Sequence, residues 1–344
     1  MRGLAAVVML QGHVYHSFTA PAWREGSVYV LSQFLGGMPP AFFLFLTGVT
    51  YAFLMDSCER KQMRPLSRVT AALRRAGYLF VLAYAFRLQL WVFGQPSSPW
   101  TDLFKVDILN CMGLTLGVMS LLAVFTTADR ARLCALAGCA IAALGPLASA
   151  FPWAGVPPFI KAYLAPDLNY FSFFPWAAFA AFGMSIGSLI RLVSDEHTER
   201  MMQWTAIGGV ALVLAARFFA EIPYSVYPRS DFWLDSPALT FIKTGVILIV
   251  MAVAWAWNQF SVKGNWSWLR QLGATSLLIY WVHIELVYGR WLWMWKENLN
   301  VAQSTVLAIV VIGLMLLLSL ARTRWNQVRE WLPGLTARPV QAGD

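Results

Sequence analysis

Charge is what this sequence has least of. Asp, Glu, Lys and Arg make up 12% of its 344 residues, about half the share of an ordinary soluble domain, which excludes a chain with a hydrated surface all round. Cysteine is sparse too: the four, Cys58, Cys111, Cys134 and Cys139, show no C-x-x-C spacing. That pattern supports neither a disulfide framework nor a zinc site, so they read as packing residues. The sequence holds no G-x-x-x-x-G-K-[ST] loop, no H-E-x-x-H helix and no Ser or Cys nucleophile with an evident triad. P-loop, zinc-protease and triad chemistry are therefore not expected, nor is a metal in the site.

What fills the chain instead is apolar: 58% of residues are hydrophobic, with 17 Trp and 11 Tyr suited to interfacial belts. Runs of the length needed to cross a hydrocarbon core recur along the whole chain. We read an all-α, polytopic transmembrane helical bundle of about ten spans: 2–18, 28–55, 75–93, 106–126, 131–150, 172–193, 202–220, 237–257, 271–290 and 300–321. Residues 1–321 form the bundle and 322–344 a basic tail whose last ten or so residues read as disordered. The first run imitates a signal peptide through Arg2 and Ala20-Pro21-Ala22. Gln11, His13 and His16 interrupt it, however, and the charge map closes only if it is kept as a helix.

Arg60, Lys61, Arg64, Arg68, Arg74 and Arg75 crowd the connection after the second span, which marks it as cytoplasmic. Arg130 and Arg132, Arg191 and Arg200, Lys263 and Arg270, and Arg322, Arg324, Arg329 and Arg338 then fall on the same side. Both termini are thus expected in the cytoplasm. The net charge of +9 is explained by this distribution, so nucleic acid is not an expected partner. Gly36-Gly37-Met38-Pro39-Pro40 predicts a break in the second span, because two prolines remove backbone donors and clash with the preceding turn. Either the helix is discontinuous within the membrane, or 25–37 is interfacial and the span starts at Pro39. Pro40 to Thr50 recurs in outline as Pro175 to Ser185. An internal repeat would give this, and so would two proline-started helices packing through small residues, the reading we adopt. Segments 151–171 and 221–236 are the places where an external substrate could be gripped.

His13 and His16 lie three apart, hence on one helix face, inside a span where an ionisable group costs about 2.5–3.5 kcal/mol on insertion scales and is functional by default. At about 1.5 Å per residue, His13, Arg87 and His283 all lie about 17–18 Å from the cytoplasmic ends of their helices. Gln89 and Glu285 fall near that level, His16 one turn further out, and Asp107 and Asn110 open the fourth span. His13 reads as functional; His16 could equally sit in interfacial water. Arg87 could bind substrate or pair with Asp107 or Glu285. Arg217 and Glu221 read as a helix-surface pair and His197 as solvated. An imidazole titrates near neutral pH and suits proton removal from an alcohol or amine. Group transfer to a polar acceptor fits this set.

Arg2-Gly3-Leu4-Ala5, His13, Pro40 to Gly48, Arg87-Leu88-Gln89, Asp107-Ile108-Leu109-Asn110-Cys111-Met112-Gly113 and Leu272 to His283, taken in order, resemble bacterial membrane proteins related to the heparan-α-glucosaminide N-acetyltransferase catalytic domain. Those are similar in turn to the wider acyltransferase 3 group. The resemblance implies a transmembrane acyltransferase of a bacterial cytoplasmic (inner) membrane, with cytoplasmic acetyl-CoA as donor and a sugar amine or hydroxyl as acceptor. His13 matches the family's early histidine. The resemblance also implies an Asp shortly before Arg2-Gly3, a position this sequence does not contain.

On that reading His13 is the general base, acting directly or after an acyl-histidine intermediate, with Asp107 and His283 as further catalytic residues. Arg87, Asn110 and His283 would orient substrates or stabilise the oxyanion. Asp107 or Glu285 would fix a histidine tautomer. His16, Gln89 and Glu285 complete the expected substrate contacts, and Arg64, Arg68, Arg74 and Arg75 would bind the CoA phosphates. Expected partners are acyl-CoA, a sugar or glycan acceptor and membrane lipid, with homo-oligomer formation left open. A transporter or flippase for a polar or lipid-linked sugar, or a non-catalytic assembly subunit, fits the same residues.

Overall fold

The computed structural model describes residues 1–260 and 266–324. Lys263, Arg329, Arg338 and the tail expected to be disordered fall outside them. The described residues are all-α: α1 (Arg2–Phe18), α2 (Ser27–Gly36), α3 (Pro39–Arg60), α4 (Pro65–Phe93), α5 (Ile108–Met119), α6 (Thr127–Ala150), α7 (Pro158–Leu164), α8 (Phe173–Leu192), α9 (Thr198–Ala220), α10 (Pro237–Phe260), α11 (Trp268–Ala274), α12 (Ser276–Tyr288) and α13 (Val301–Thr323). Among them eight helical stretches are long and apolar enough to cross a membrane. The other two expected spans are shorter helices. One is α1, with 17 residues, and the other is split into α11 and α12 at Thr275.

The chain divides into two compact units. Of the described residues, 38–260 form one; 2–37 and 266–324 form the other. In the larger unit α8 is central, packed on α3 and α6. The two similar proline-to-glycine stretches meet there. A Cβ on Gly48 would strike the Ala180 carbonyl, and one on Gly183 the Phe45 carbonyl, so small residues let the two backbones approach, as in many membrane helix pairs. Cys58, Cys111 and Cys134 are buried as packing residues should be, whereas Cys139 is exposed. Arg217 and Glu221 form the expected surface pair at 2.8 Å, and His197 is exposed, bonded to Ser194.

α4 starts at Pro65, ten residues before the expected span. Arg68, Arg74 and Arg75 therefore stand on its first three turns and are not loop residues, while Arg64 precedes it as the N-cap. Pro at the first helical position is pre-set for helix, and charge ends an apolar run without ending a helix. The predicted break is present, with α2 ending at Gly36 and α3 beginning at Pro39.

The smaller unit is built around α1. Its core comprises Leu10, Val14, Tyr15 and Phe18 with Leu272, Ile279, Val287, Leu307, Val311 and Met315. A Cβ on Gly12 would lie 2.8 Å from the Gly36 Cα, and one on Gly273 2.9 Å from the Gly3 nitrogen, so α1 crosses α2 and α11 at near backbone contact. Polar side chains fix its position: Gln33 Nε2 donates to the Gly12 carbonyl, Ser17 Oγ to the Val287 carbonyl, and the Tyr15 hydroxyl meets Thr305 Oγ1 at 2.6 Å. At the α11–α12 break, Gln271 Nε2 and Thr275 Oγ1 bond Ser319 Oγ on α13 at 2.9 and 2.5 Å. The helix that carries His283 is thereby anchored.

Candidate active site

In the smaller unit, α1 and α12 bring two sequence-distant histidines together. His13 Nδ1 lies 2.9 Å from His283 Nε2, with the ring planes 13° apart. His283 is wholly buried and His13 only partly. His283 Nδ1 lies 2.7 Å from the Ile279 carbonyl oxygen. A carbonyl can only accept, so Nδ1 carries the hydrogen. In a neutral imidazole the other nitrogen is then an acceptor, so His283 Nε2 accepts and His13 Nδ1–H must donate. His13 Nε2 is left as the basic lone pair of the pair.

The tautomer is thus set by a backbone carbonyl and not by a carboxylate. Glu285 sits two residues from His283, and positions two apart on a helix do not share a face. Its carboxylate lies beside Gly289 and acts on Lys296, whose ammonium burial pushes below its ordinary range while Glu285 works the other way. Lys296 Nζ donates to the carbonyls of Tyr288 and Gly289, closing the C-terminus of α12. Tyr288 is an unforeseen member: its ring stands edge-on to His13 at 5.3 Å between centroids, and its hydroxyl lies 3.3 Å from His16 Nδ1. His16 is exposed, at the outer edge of this group. The outward step from His13 to His16 was legible, but Tyr288 was hidden because only the crossing of α1 and α12 brings it there.

A second polar cluster lies in the larger unit. Arg87 Nε is 3.3 Å from Asp107 Oδ2, one of the two pairings weighed from the sequence. Asp107 Oδ1 also accepts from the Leu109 and Asn110 amides, while Asn110 Oδ1 accepts from the Asp107 amide. This is a capping box, so Asp107-x-x-Asn110 has a local structural role in starting α5. Its Oδ1 serves α5 and its Oδ2 faces Arg87 in the ion pair, and among the described residues it bonds no histidine. Asn110 Nδ2 donates to the Tyr163 hydroxyl at 2.9 Å, which is 3.0 Å from that of Tyr84. Tyr163 belongs to α7, within the 151–171 segment. Gln89, two residues from Arg87, cannot share its face and is half-buried.

Of the four arginines expected to bind phosphate, Arg64, Arg74 and Arg75 are exposed, Arg75 against the Tyr78 ring. Arg68 faces Glu59 at 3.8 Å. Lys243 on α10 went unnoticed in the sequence although a lone charge in an apolar run is a signal; its ammonium rests 5.1 Å from the Trp176 ring centroid. Segment 221–236 walls a cavity of about 710 Å³ against the ends of α9 and α10, lined by Phe219, Tyr227, Phe232 and Phe241 among others, with no charged side chain among the described residues that line it.

Comparison with family models matches residues 1–217 to the family described as heparan-alpha-glucosaminide N-acetyltransferase, catalytic. No curated protein sequence matches the chain. The matched stretch contains His13, Arg87, Asp107 and Asn110, whereas His283 and Tyr288 lie beyond it.

Proposed function

The chain is an integral membrane protein of the heparan-alpha-glucosaminide N-acetyltransferase catalytic family, and from that premise we propose that it transfers an acetyl or other short acyl group from acyl-CoA to a sugar amine or hydroxyl, with His13 as general base. The observation that carries this reading is the fixed tautomer of the His13–His283 pair, which leaves Nε2 of His13 with a free lone pair. The acceptor attacks the thioester carbonyl carbon while His13 Nε2 takes its proton. The resulting imidazolium keeps its Nδ1–H on His283 Nε2, so the positive charge forms against an acceptor already in place. Collapse of the tetrahedral intermediate breaks the C–S bond, and His13 returns the proton to the departing CoA thiolate.

Tyr288 packs against His13 and positions it. Arg64, Arg74 and Arg75 are assigned to the coenzyme's phosphates. In the larger unit, Arg87 and Asn110 with Tyr163 are assigned to holding a polar group of a substrate, and Asp107 to holding Arg87. The proposed setting is a bacterial cytoplasmic membrane with both termini inside.

The test is acetyl transfer from labelled acetyl-CoA to glucosamine by the purified protein in vesicles. His13→Ala should abolish turnover while saturable acetyl-CoA binding persists. Wild-type turnover in His13→Ala would overturn the mechanism. Glucosamine movement without any coenzyme would overturn the enzyme reading altogether.

A further inference from the structure

The ends of α3, α4, α6 and α8 carry a charge network to which the steps above assign no role. Asp56 Oδ2 accepts a hydrogen bond from Arg191 Nε at 2.7 Å and forms an ion pair with Arg60, whose Nε lies 2.9 Å away. Glu59 meets Arg130 Nη2 at 3.1 Å and Arg68 at 3.8 Å. Arg130 is buried, and also donates to the Phe125 carbonyl and to Thr127 Oγ1. Four guanidinium groups against two carboxylates leave a net charge of +2. Two helix N-termini and two C-termini contribute members, so their dipoles offset one another and the excess stands.

The excess is not spread evenly. Arg68 and Arg130 point inward and are taken up by Glu59 and backbone. Arg60 and Arg191 use Nε on the buried Asp56 and stay partly open, with side chains 61% and 37% exposed. Among the described residues Arg191 makes no hydrogen bond through either Nη, and Arg60 reaches only the Arg191 carbonyl through Nη2, at 3.5 Å. The Arg191 guanidinium is steadied further by the Phe53 ring, 5.7 Å from its centroid. One buried acid therefore holds two guanidinium forks side by side with donors left over. Planar forks of this kind match phosphate oxygens.

We propose that Arg60 and Arg191, positioned by Asp56, bind a phosphate-bearing anion. Anion binding here does not depend on the His13–His283 chemistry; only its CoA alternative rests on the proposed acyl transfer. The anion is either a phosphate of CoA or the headgroup of an anionic lipid.

The experiment titrates the detergent-solubilised full chain with inorganic pyrophosphate, CoA and a short-chain phosphatidic acid. Pantetheine and a short-chain diacylglycerol, which lack phosphate, serve as controls. The wild type should bind pyrophosphate saturably, and Arg60→Gln or Arg191→Gln should each weaken it about tenfold. Arg217→Gln, a change of the same charge at a surface pair elsewhere, should leave it unchanged. Whichever of CoA and phosphatidic acid loses affinity in parallel identifies the source. Arg60→Lys and Arg191→Lys keep the charge but not the fork, and should fall between wild type and Gln even if a Gln variant folds poorly. No pyrophosphate binding by the wild type, or equal binding by all variants, would overturn the proposal. Absence of acetyl transfer by a wild type that binds pyrophosphate would count against the enzyme reading alone.

Discussion

If His13 Nε2 is the base because His283 fixes its tautomer, then His283→Leu should damage turnover more than binding. The substitution leaves His13 Nδ1–H without its acceptor at 2.9 Å, both in the resting state and when the ring becomes imidazolium. A hydrogen bond to a charged group contributes about 1.5–3 kcal/mol, and this one matters most after proton transfer, so the loss falls on kcat by about 10- to 150-fold. KM should change little, since no contact to either substrate is removed. His283→Gln supplies the conservative control. Its amide oxygen can accept from His13 while its amide nitrogen remains a donor, so it should recover most of the lost kcat. The assay is steady-state transfer from acetyl-CoA in vesicles, with thermal unfolding measured beside it. Wild-type kcat in His283→Leu would refute the tautomer reasoning. So would a loss in His283→Gln as deep as in His283→Leu, because an acceptor would then make no difference.

Tyr288→Phe removes the hydroxyl near His16 but keeps the ring beside His13, and should cost less than Tyr288→Ala in the same transfer assay. Gly48→Val puts a branched side chain against the Ala180 backbone and should destabilise the protein by about 1–3 kcal/mol, read as a lower unfolding midpoint in detergent. Asp107→Asn keeps a capping side chain for α5 but unpairs Arg87. Asp107→Ala loses both and should show the lower midpoint of the two.

The elements most legible in the sequence were those whose cause is local. Prolines and glycines at 36–40 break the chain where α2 ends and α3 begins. The two proline-to-glycine stretches supply the small faces on which α3 and α8 approach. Hydropathy misplaced the start of α4, because it registers where apolar character stops, while Pro65 and the helix continue beyond that point. Equal depth singled out His13 and His283, yet depth alone could not make α1 and α12 neighbours; the packing of both on α13 does that. The tautomer was assigned to a carboxylate because side chains are what a sequence displays, and the Ile279 carbonyl is not. Likewise the arginines at 60, 68, 130 and 191 read singly as markers of membrane side. Their shared acids, Asp56 and Glu59, become visible only when four helix ends converge.

The unit that holds the histidine pair is assembled from two segments far apart in sequence, residues 2–37 and, among the described residues, 266–324. During synthesis α1 therefore emerges more than two hundred residues ahead of α12. His13 spends that interval without the ring that sets its proton. A nascent protein halted anywhere before α12 lacks the His13–His283 pair altogether.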